Sequence, residues 1–233
     1  MLPWGKGVRI AKVDANGLMA IDKPAGVLSH PNRKGDAGRS LLRASYDFDL
    51  QAYRISDESL VYLLNRLDSA TSGLLLMTTS LEIRAQVLEA FEKERVRKVY
   101  EALVFGIARK GKGEFWKDRL SLSKAEGGVR AASGGNLRAE TKLLASRAIP
   151  GMPAMSLLKL SPLTGRTHQL RIQAAKRGLP IAGDRTYGDF SKNKLMARSK
   201  GIKRLCLHCT ETSVDYVLKG QTHSFMARSE RPF

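Results

Sequence analysis

Short apolar runs broken by turn residues dominate the pattern along the chain, with few stretches of helical period. Residues 18–21 form a first strand-like run, closed by Asp22-Lys23-Pro24-Ala25-Gly26, where Pro and Gly mark a turn. Residues 29–40 are polar and Gly-rich and predict a loop. Two apolar runs, 61–64 and 73–77, flank the polar Asn65-Arg66-Leu67-Asp68. Thr79 and Glu82 then stand at the spacing of a capping box, which predicts a helix running to about Arg95 with Ile83, Val87 and Phe91 on one face. Residues 98–106 read as a strand whose period of two places Tyr100, Ala102 and Val104 together.

Residues 109–136 are rich in Gly, Lys and Arg and predict a hairpin with mobile loops. A strand is expected at 155–160. A turn at Thr164-Gly165-Arg166-Thr167 precedes a helix from about His168 to Arg177, which Gly178 and Pro180 stop. A basic patch covers 192–204, and a further strand covers 205–210. Strands and helices occur without strict alternation, which implies an α+β fold on a mixed, mainly antiparallel sheet.

Charge changes the picture more than composition does. Hydrophobic residues at 42% and charged residues at 27% are those of a globular protein able to bury a core. Forty Lys and Arg against 22 Asp and Glu, however, leave a formal charge of +18. Such an excess repels itself until a polyanion compensates it. Basic side chains displace the counterions condensed on phosphates, so nucleic acid is the expected partner and an anionic membrane surface the rival. Cys206 and Cys209 are the two cysteines, which excludes a disulfide framework and suits a reducing cytosol. Residues 1–16 contain no continuous apolar stretch, and no run approaches the ~20 residues of a membrane span. A cytoplasmic protein is expected, with a 1–16 N-terminal extension before a single domain at 17–233.

Three segments carry a family resemblance. Asn65-Arg66-Leu67-Asp68-Ser69-Ala70-Thr71-Ser72-Gly73 is similar to the motif H-R-L-D-x-x-T-S-G. Lys98-Val99-Tyr100-Glu101-Ala102 opens a strand of the form K-x-Y-x-A. Thr164-Gly165-Arg166-Thr167-His168-Gln169-Leu170-Arg171 matches T-G-R-T-H-Q-[IL]-R, with Gly178-Leu179-Pro180-Ile181-Ala182-Gly183-Asp184 and Tyr187-Gly188 following. In this order and spacing they resemble the RluA family of RNA pseudouridine synthases from about residue 17 to the end. The turn at 22–26 and Leu205-Cys206-Leu207-His208 are minor matches. Two departures stand out. Asn65 occupies the place of the family's His, and the resemblance begins too early to leave room for the S4-type RNA-binding domain that many relatives carry.

The resemblance implies a sheet flanked by helices around a catalytic cleft, acting on structured RNA, ribosomal or transfer. Converting uridine to pseudouridine breaks N1–C1′ and forms C5–C1′ with no net redox change, so no cofactor is expected. Asp68 is nominated as the catalytic carboxylate, able to attack covalently or to take a ribose proton. Arg171 is nominated as the cation that keeps it ionised, and Tyr100 as the ring stacked on the target uracil. Arg66 is nominated as the wedge that enters the RNA stack when the uridine flips out, its planar guanidinium replacing lost stacking. Arg166, Thr167, His168 and Gln169 stand at a helix start, where free amides favour phosphate, and are expected to bind RNA.

Each nomination has a plainer reading. Asp68 can be a turn residue, Tyr100 a core aromatic, Arg66 a phosphate contact and His168 a structural hydrogen-bonder. Cys206, His208, Cys209 and His223 are poorly spaced for zinc, because in a strand Cys206 and His208 face one side and Cys209 the other; no metal is expected. A rival from another class is a non-catalytic RNA-binding or ribosome-assembly protein, for which Asn65 speaks and the trio Asp68, Tyr100 and Arg171 speaks against. A glycoside hydrolase explains neither the charge nor the single carboxylate of the motifs. No apolar stripe marks an oligomer interface, so a monomer is expected.

Overall fold

The computed structural model describes residues 2–33, 35–108, 113–125 and 128–233, and the side chains of these except at 122–131. In chain order the elements are β1 (Arg9–Val13), β2 (Leu18–Lys23), β3 (Ser45–Asp47), β4 (Ala52–Arg54), β5 (Leu60–Leu63), β6 (Ser72–Thr78), α1 (Leu81–Glu92) and β7 (Arg97–Phe105). There follow β8 (Phe115–Ala125), β9 (Gly128–Ser133), β10 (Leu137–Ile149), β11 (Met155–Pro162), α2 (Gln169–Lys176), α3 (Phe190–Ser199), β12 (Leu207–Leu218) and β13 (Gln221–Arg228). The fold is α+β, and its strands pair antiparallel in every register described. Two compact units divide it: Met1–Lys98 with Cys209–Arg231, and Val99–His208 with Pro232–Phe233.

In unit one, β3, β4, β5 and β6 follow one another as antiparallel neighbours, and β2 pairs with β6 from Leu18↔Thr78 to Lys23↔Gly73. Strand β6 reads Ser-Gly-Leu-Leu-Leu-Met-Thr and is buried at every position. A strand covered on both faces needs a continuous apolar run rather than an alternating one, which is why 73–77 lacks a period. Helix α1 packs on β6 through Ile83, Val87 and Ala90. Its cap is Ser80, not Thr79: Ser80 has extended backbone angles and its hydroxyl accepts from the Ile83 amide at 3.3 Å. The helix ends at Glu92 rather than near Arg95, and Phe91 is only half-buried. The described part of the N-terminal segment, residues 2–16, is tied in. The Gly5 amide donates to the Leu41 carbonyl at 2.7 Å, and β1 pairs with β2.

In unit two, the neighbours run β7, β11, β10, β8, β9. The expected hairpin at 109–136 is β8 paired with β9; residues 109–112 and 126–127, where its mobile loops were expected, lie outside the described residues. Strand β7 is buried on both faces, not on that of Tyr100, Ala102 and Val104 alone. Helix α2 is pinned to β8 through Asp118, which accepts from Gln173 (3.0 Å), Lys176 (2.7 Å) and Arg177 (2.8 Å). Burial would raise the Asp118 carboxyl, but these donors outweigh it and hold it below the usual range. The basic patch proves to be largely helical: α3 is capped by Asp189, whose carboxylate accepts from the Lys192 amide at 2.9 Å.

Candidate active site

Asp68 stands half-buried in the loop between β5 and β6. Its own carbonyl accepts from the Thr71 amide at 3.0 Å, so 68–71 closes as a turn. The loop is held from three directions, two of them through its main chain. Fully buried Lys23 donates to the carbonyls of Pro24 (3.1 Å), Val27 (2.8 Å) and Ser69 (3.1 Å), and the Gly26 amide donates to the Ser69 carbonyl at 2.7 Å. The turn at 22–26 thereby becomes the floor of the Asp68 loop. Charge-assisted bonds to carbonyls are what allow a lysine ammonium to sit inside.

From the second direction, the Ser29 hydroxyl donates to the Leu67 carbonyl (2.8 Å) and accepts from the Leu67 amide (3.0 Å). From the third, the Asn65 side-chain oxygen accepts from the Leu76 amide at 2.8 Å, beside the bond from the Leu64 amide to the Leu76 carbonyl at 2.9 Å. Asn65 thus belongs to the loop's attachment to β6. Its Nδ2 is buried without a hydrogen-bond partner among the described residues. At the loop's far end, Gly73 has φ +108°, and a Cβ there would lie 2.3 Å from the Cys209 carbonyl oxygen. Only glycine allows the backbone this approach.

Arg66 is exposed, and its Nη1 donates to His30 Nε2 at 3.0 Å. Lys98, at the start of β7, is half-buried. Desolvation lowers its pKa, against the opposing pull of Cys209 and Asp68. Neither His30 nor Lys98 stands out as a site residue in the sequence pattern. Lys98 carries a signal, its place in the K-x-Y motif; His30 carries none, because its partner lies 36 residues away.

The remaining nominated residues lie in unit two. Tyr100 is buried in β7, opposite Leu160 of β11. Arg171, one turn into α2, is buried and bonded twice to Asp184, Nε to Oδ2 and Nη2 to Oδ1, both at 2.8 Å. Asp184 Oδ1 also accepts from the amides of Thr186 (2.8 Å) and Tyr187 (3.1 Å). Burial would raise this carboxyl, but Arg171 and the two amides hold it below the usual carboxylate range. The Arg171 guanidinium lies 5.1 Å from the Tyr187 ring centroid, and the Tyr187 hydroxyl lies 3.0 Å from His168 Nδ1. In the sequence Asp184 and Tyr187 are only parts of a motif; the structure gives them the task of fixing Arg171 and His168.

Arg166 is exposed, with Nε on the Arg138 carbonyl at 3.2 Å, while Thr167 and His168 are half-buried. Gln169 is turned inward. Its oxygen accepts from the Thr164 hydroxyl (2.7 Å) and the Arg166 amide (3.1 Å), and its nitrogen donates to the Glu140 carbonyl and the Thr141 hydroxyl, both at 3.0 Å. These bonds use the whole hydrogen-bonding capacity of the amide. Cys206 and Cys209 are buried thiols, and burial pushes Cys206 up to about 11.

Comparison with known proteins points one way. Residues 17–176 match the family described as RNA pseudouridylate synthase. The chain is 35% identical over 201 residues to the tRNA pseudouridine synthase C of Haemophilus ducreyi, covering 82% of this chain and 79% of the relative. It is 29% identical over 218 residues to the dual-specificity RNA pseudouridine synthase RluA of Haemophilus influenzae, covering 92% and 90%. In fold it is similar to human RNA pseudouridylate synthase domain containing 4, with a TM-score of 0.66 at 20% identity over 96% of this chain and 88% of that one.

Proposed function

Because the chain belongs to the RNA pseudouridylate synthase family, and is thus an isomerase acting on RNA, we propose that its chemistry centres on Asp68, with Tyr100 and Arg171 completing the catalytic set. The observation that carries this reading is the threefold grip on the Asp68 loop, through the main chain of Ser69 and Leu67 and the side chain of Asn65. A carboxylate that must meet C1′ or a ribose proton gains from a fixed backbone, since misplacement by an ångström costs orders of magnitude in rate. Asp68 supplies the charged oxygen. Tyr100 stacks on the uracil and serves proton transfer at C5. Arg171, oriented by Asp184, supplies the fixed positive charge.

Arg66, Arg166, Thr167 and His168 contact the RNA, Arg66 as the wedge that replaces the extruded uridine. Gln169, first expected among them, braces the loop before α2 instead. The formal charge of +18 supplies the general attraction for phosphate. Relatives named tRNA pseudouridine synthase C make transfer RNA the first substrate to try and ribosomal RNA the second. We read the protein as a cytoplasmic monomer, residues 17–233 forming the catalytic body; among the described residues no helix is long and apolar enough to cross a membrane.

The deciding experiment maps pseudouridine across the transcriptome of cells with and without the gene, then adds back wild type or Asp68→Asn. Sites lost on deletion and restored by wild type alone establish the role of Asp68 and name the RNA. Restoration by Asp68→Asn removes Asp68 from the chemistry. A map unchanged by deletion favours the RNA-binding alternative.

A further inference from the structure

We propose that His30 is the positioning residue for Arg66, and that it holds the guanidinium ready for the RNA stack only as the neutral ring. This rests on the reading of Arg66 as the wedge. The hydrogen bonds fix the tautomer. Arginine has donors only, so the 3.0 Å contact makes His30 Nε2 the acceptor. The other nitrogen, Nδ1, lies 2.9 Å from the Pro31 carbonyl and must carry the proton it donates there. The ring spans a carbonyl on one side and a guanidinium on the other, an arrangement only neutral imidazole satisfies.

The ring has little freedom to turn away. It stacks on Tyr46 at 4.9 Å between centroids and 16° between planes, and Phe48 meets it edge-on at 5.8 Å. Tyr46 is in turn edge-on to Tyr53 at 5.0 Å, and the Tyr53 hydroxyl donates to the Ser29 carbonyl at 2.7 Å. Ser29 is the residue that clamps Leu67. Neighbouring residues 29 and 30 therefore grip neighbouring residues 67 and 66, one by main chain and one by side chain. Arg66 is exposed and long, and without an acceptor its guanidinium would sample many rotamers. The bond to His30 selects one before RNA arrives.

Protonating His30 places an N–H and a positive charge against the Arg66 guanidinium and breaks the bond. The ring's surroundings oppose that charge. Burial lowers its pKa, the Pro31 carbonyl pulls the other way, and Arg66 lowers it further, for a net fall from the ordinary 6.5. The titratable groups in and beside this aromatic stack keep their charge state across this range. Burial pushes Tyr46 up to about 12 and raises Tyr53, and the Leu50 amide, with Arg54, holds Asp47 below the usual carboxylate range. Among the described residues of this cluster, His30 is the group to follow between about pH 5 and pH 8, its pKa lying on the acid side of the ordinary 6.5.

The test measures release of tritium from uridine C5, using total RNA labelled at that position in cells lacking the gene, across the same pH range and at limiting and saturating RNA. Wild type is compared with His30→Phe, which keeps a stacking ring without an acceptor, with His30→Gln, which keeps an acceptor that does not titrate, and with Arg66→Ala. His30→Phe is expected to lose about tenfold in kcat with little change in KM, the worth of one charge-assisted hydrogen bond. His30→Gln should match wild type near neutral pH and lack the acid limb that wild type shows below pH 6.5. Wild-type kinetics in His30→Phe, or an unchanged acid limb in His30→Gln, overturns the proposal. Should His30→Phe not fold, the His30→Gln pH profile decides alone. If Arg66→Ala is itself fully active, the wedge reading has failed; if it is crippled while His30→Phe is not, only the role of His30 has.

Discussion

Arg171 and Asp184 meet as two parallel hydrogen bonds of 2.8 Å between side chains that are both buried. Removing one partner strands the other's charge. Asp184→Asn is therefore expected to destabilise the protein by about 3–5 kcal/mol in denaturant titration. The pH dependence follows from the lowered carboxyl. Its stabilising contribution is complete above the unfolded value of about 4 and is lost as pH falls through the lower folded value. Wild type should lose stability in that acid window, and Asp184→Asn should lose less there.

Lys23 is a structural lysine under the Asp68 loop, and its methylene stem can be kept while its charge is removed. Lys23→Met should cost about 2 kcal/mol or more, because three carbonyls lose a charged donor. Tritium release should fall by more than unfolding at assay temperature explains. Full activity in a folded Lys23→Met would show that the floor of the loop does not matter to the chemistry.

Gly73→Ala places a methyl 2.3 Å from the Cys209 carbonyl oxygen at a φ of +108°. The strain and the clash together are expected to cost about 2 kcal/mol or more. Thermal melts check this, with Gly26→Ala as a control. That position also has positive φ, but a methyl added there would meet no atom within 4 Å.

Asn65→His tests the departure from the family motif. A histidine Nδ1 can take the place of the Asn65 oxygen as acceptor for the Leu76 amide, and the unpartnered Nδ2 disappears. Stability should stay within about 1 kcal/mol of wild type, and activity should persist. Asn65→Leu, which strands the amide, should cost about 1–3 kcal/mol.

The strand at 18–21 was legible in the sequence as an apolar run stopped by turn residues, and the apolar runs at 61–64 and 73–77 mark where β5 and β6 lie. Strand β10 was not read, although Arg138, Glu140 and Lys142 alternate with Ala139, Thr141 and Leu143, which are buried. The alternation fails beyond Leu143, where the strand is more exposed and its pairing with β11 carries it on to Ile149. Helix α3 was hidden in a stretch read only as a basic patch, and its Asp189 cap emerges from the structure. Within the candidate site, the motif residues could be nominated from their spacing. The groups that hold them were harder to see. Lys23, Ser29 and His30 act across 36 or more residues, and the first two do so through bonds to backbone atoms that every residue possesses.

On either side of Asp68 the loop is gripped by its peptide groups: the carbonyl of Ser69 and both main-chain atoms of Leu67. Exposed Ser69 and half-buried Ala70 contribute no side-chain bond to that grip. The backbone that carries the aspartate is thus held without help from the side chains at 69 and 70. Positions 69 and 70 are therefore where bulkier, charged or aromatic residues would change the outer surface of the loop while leaving the main-chain bonds of Leu67 and Ser69 available.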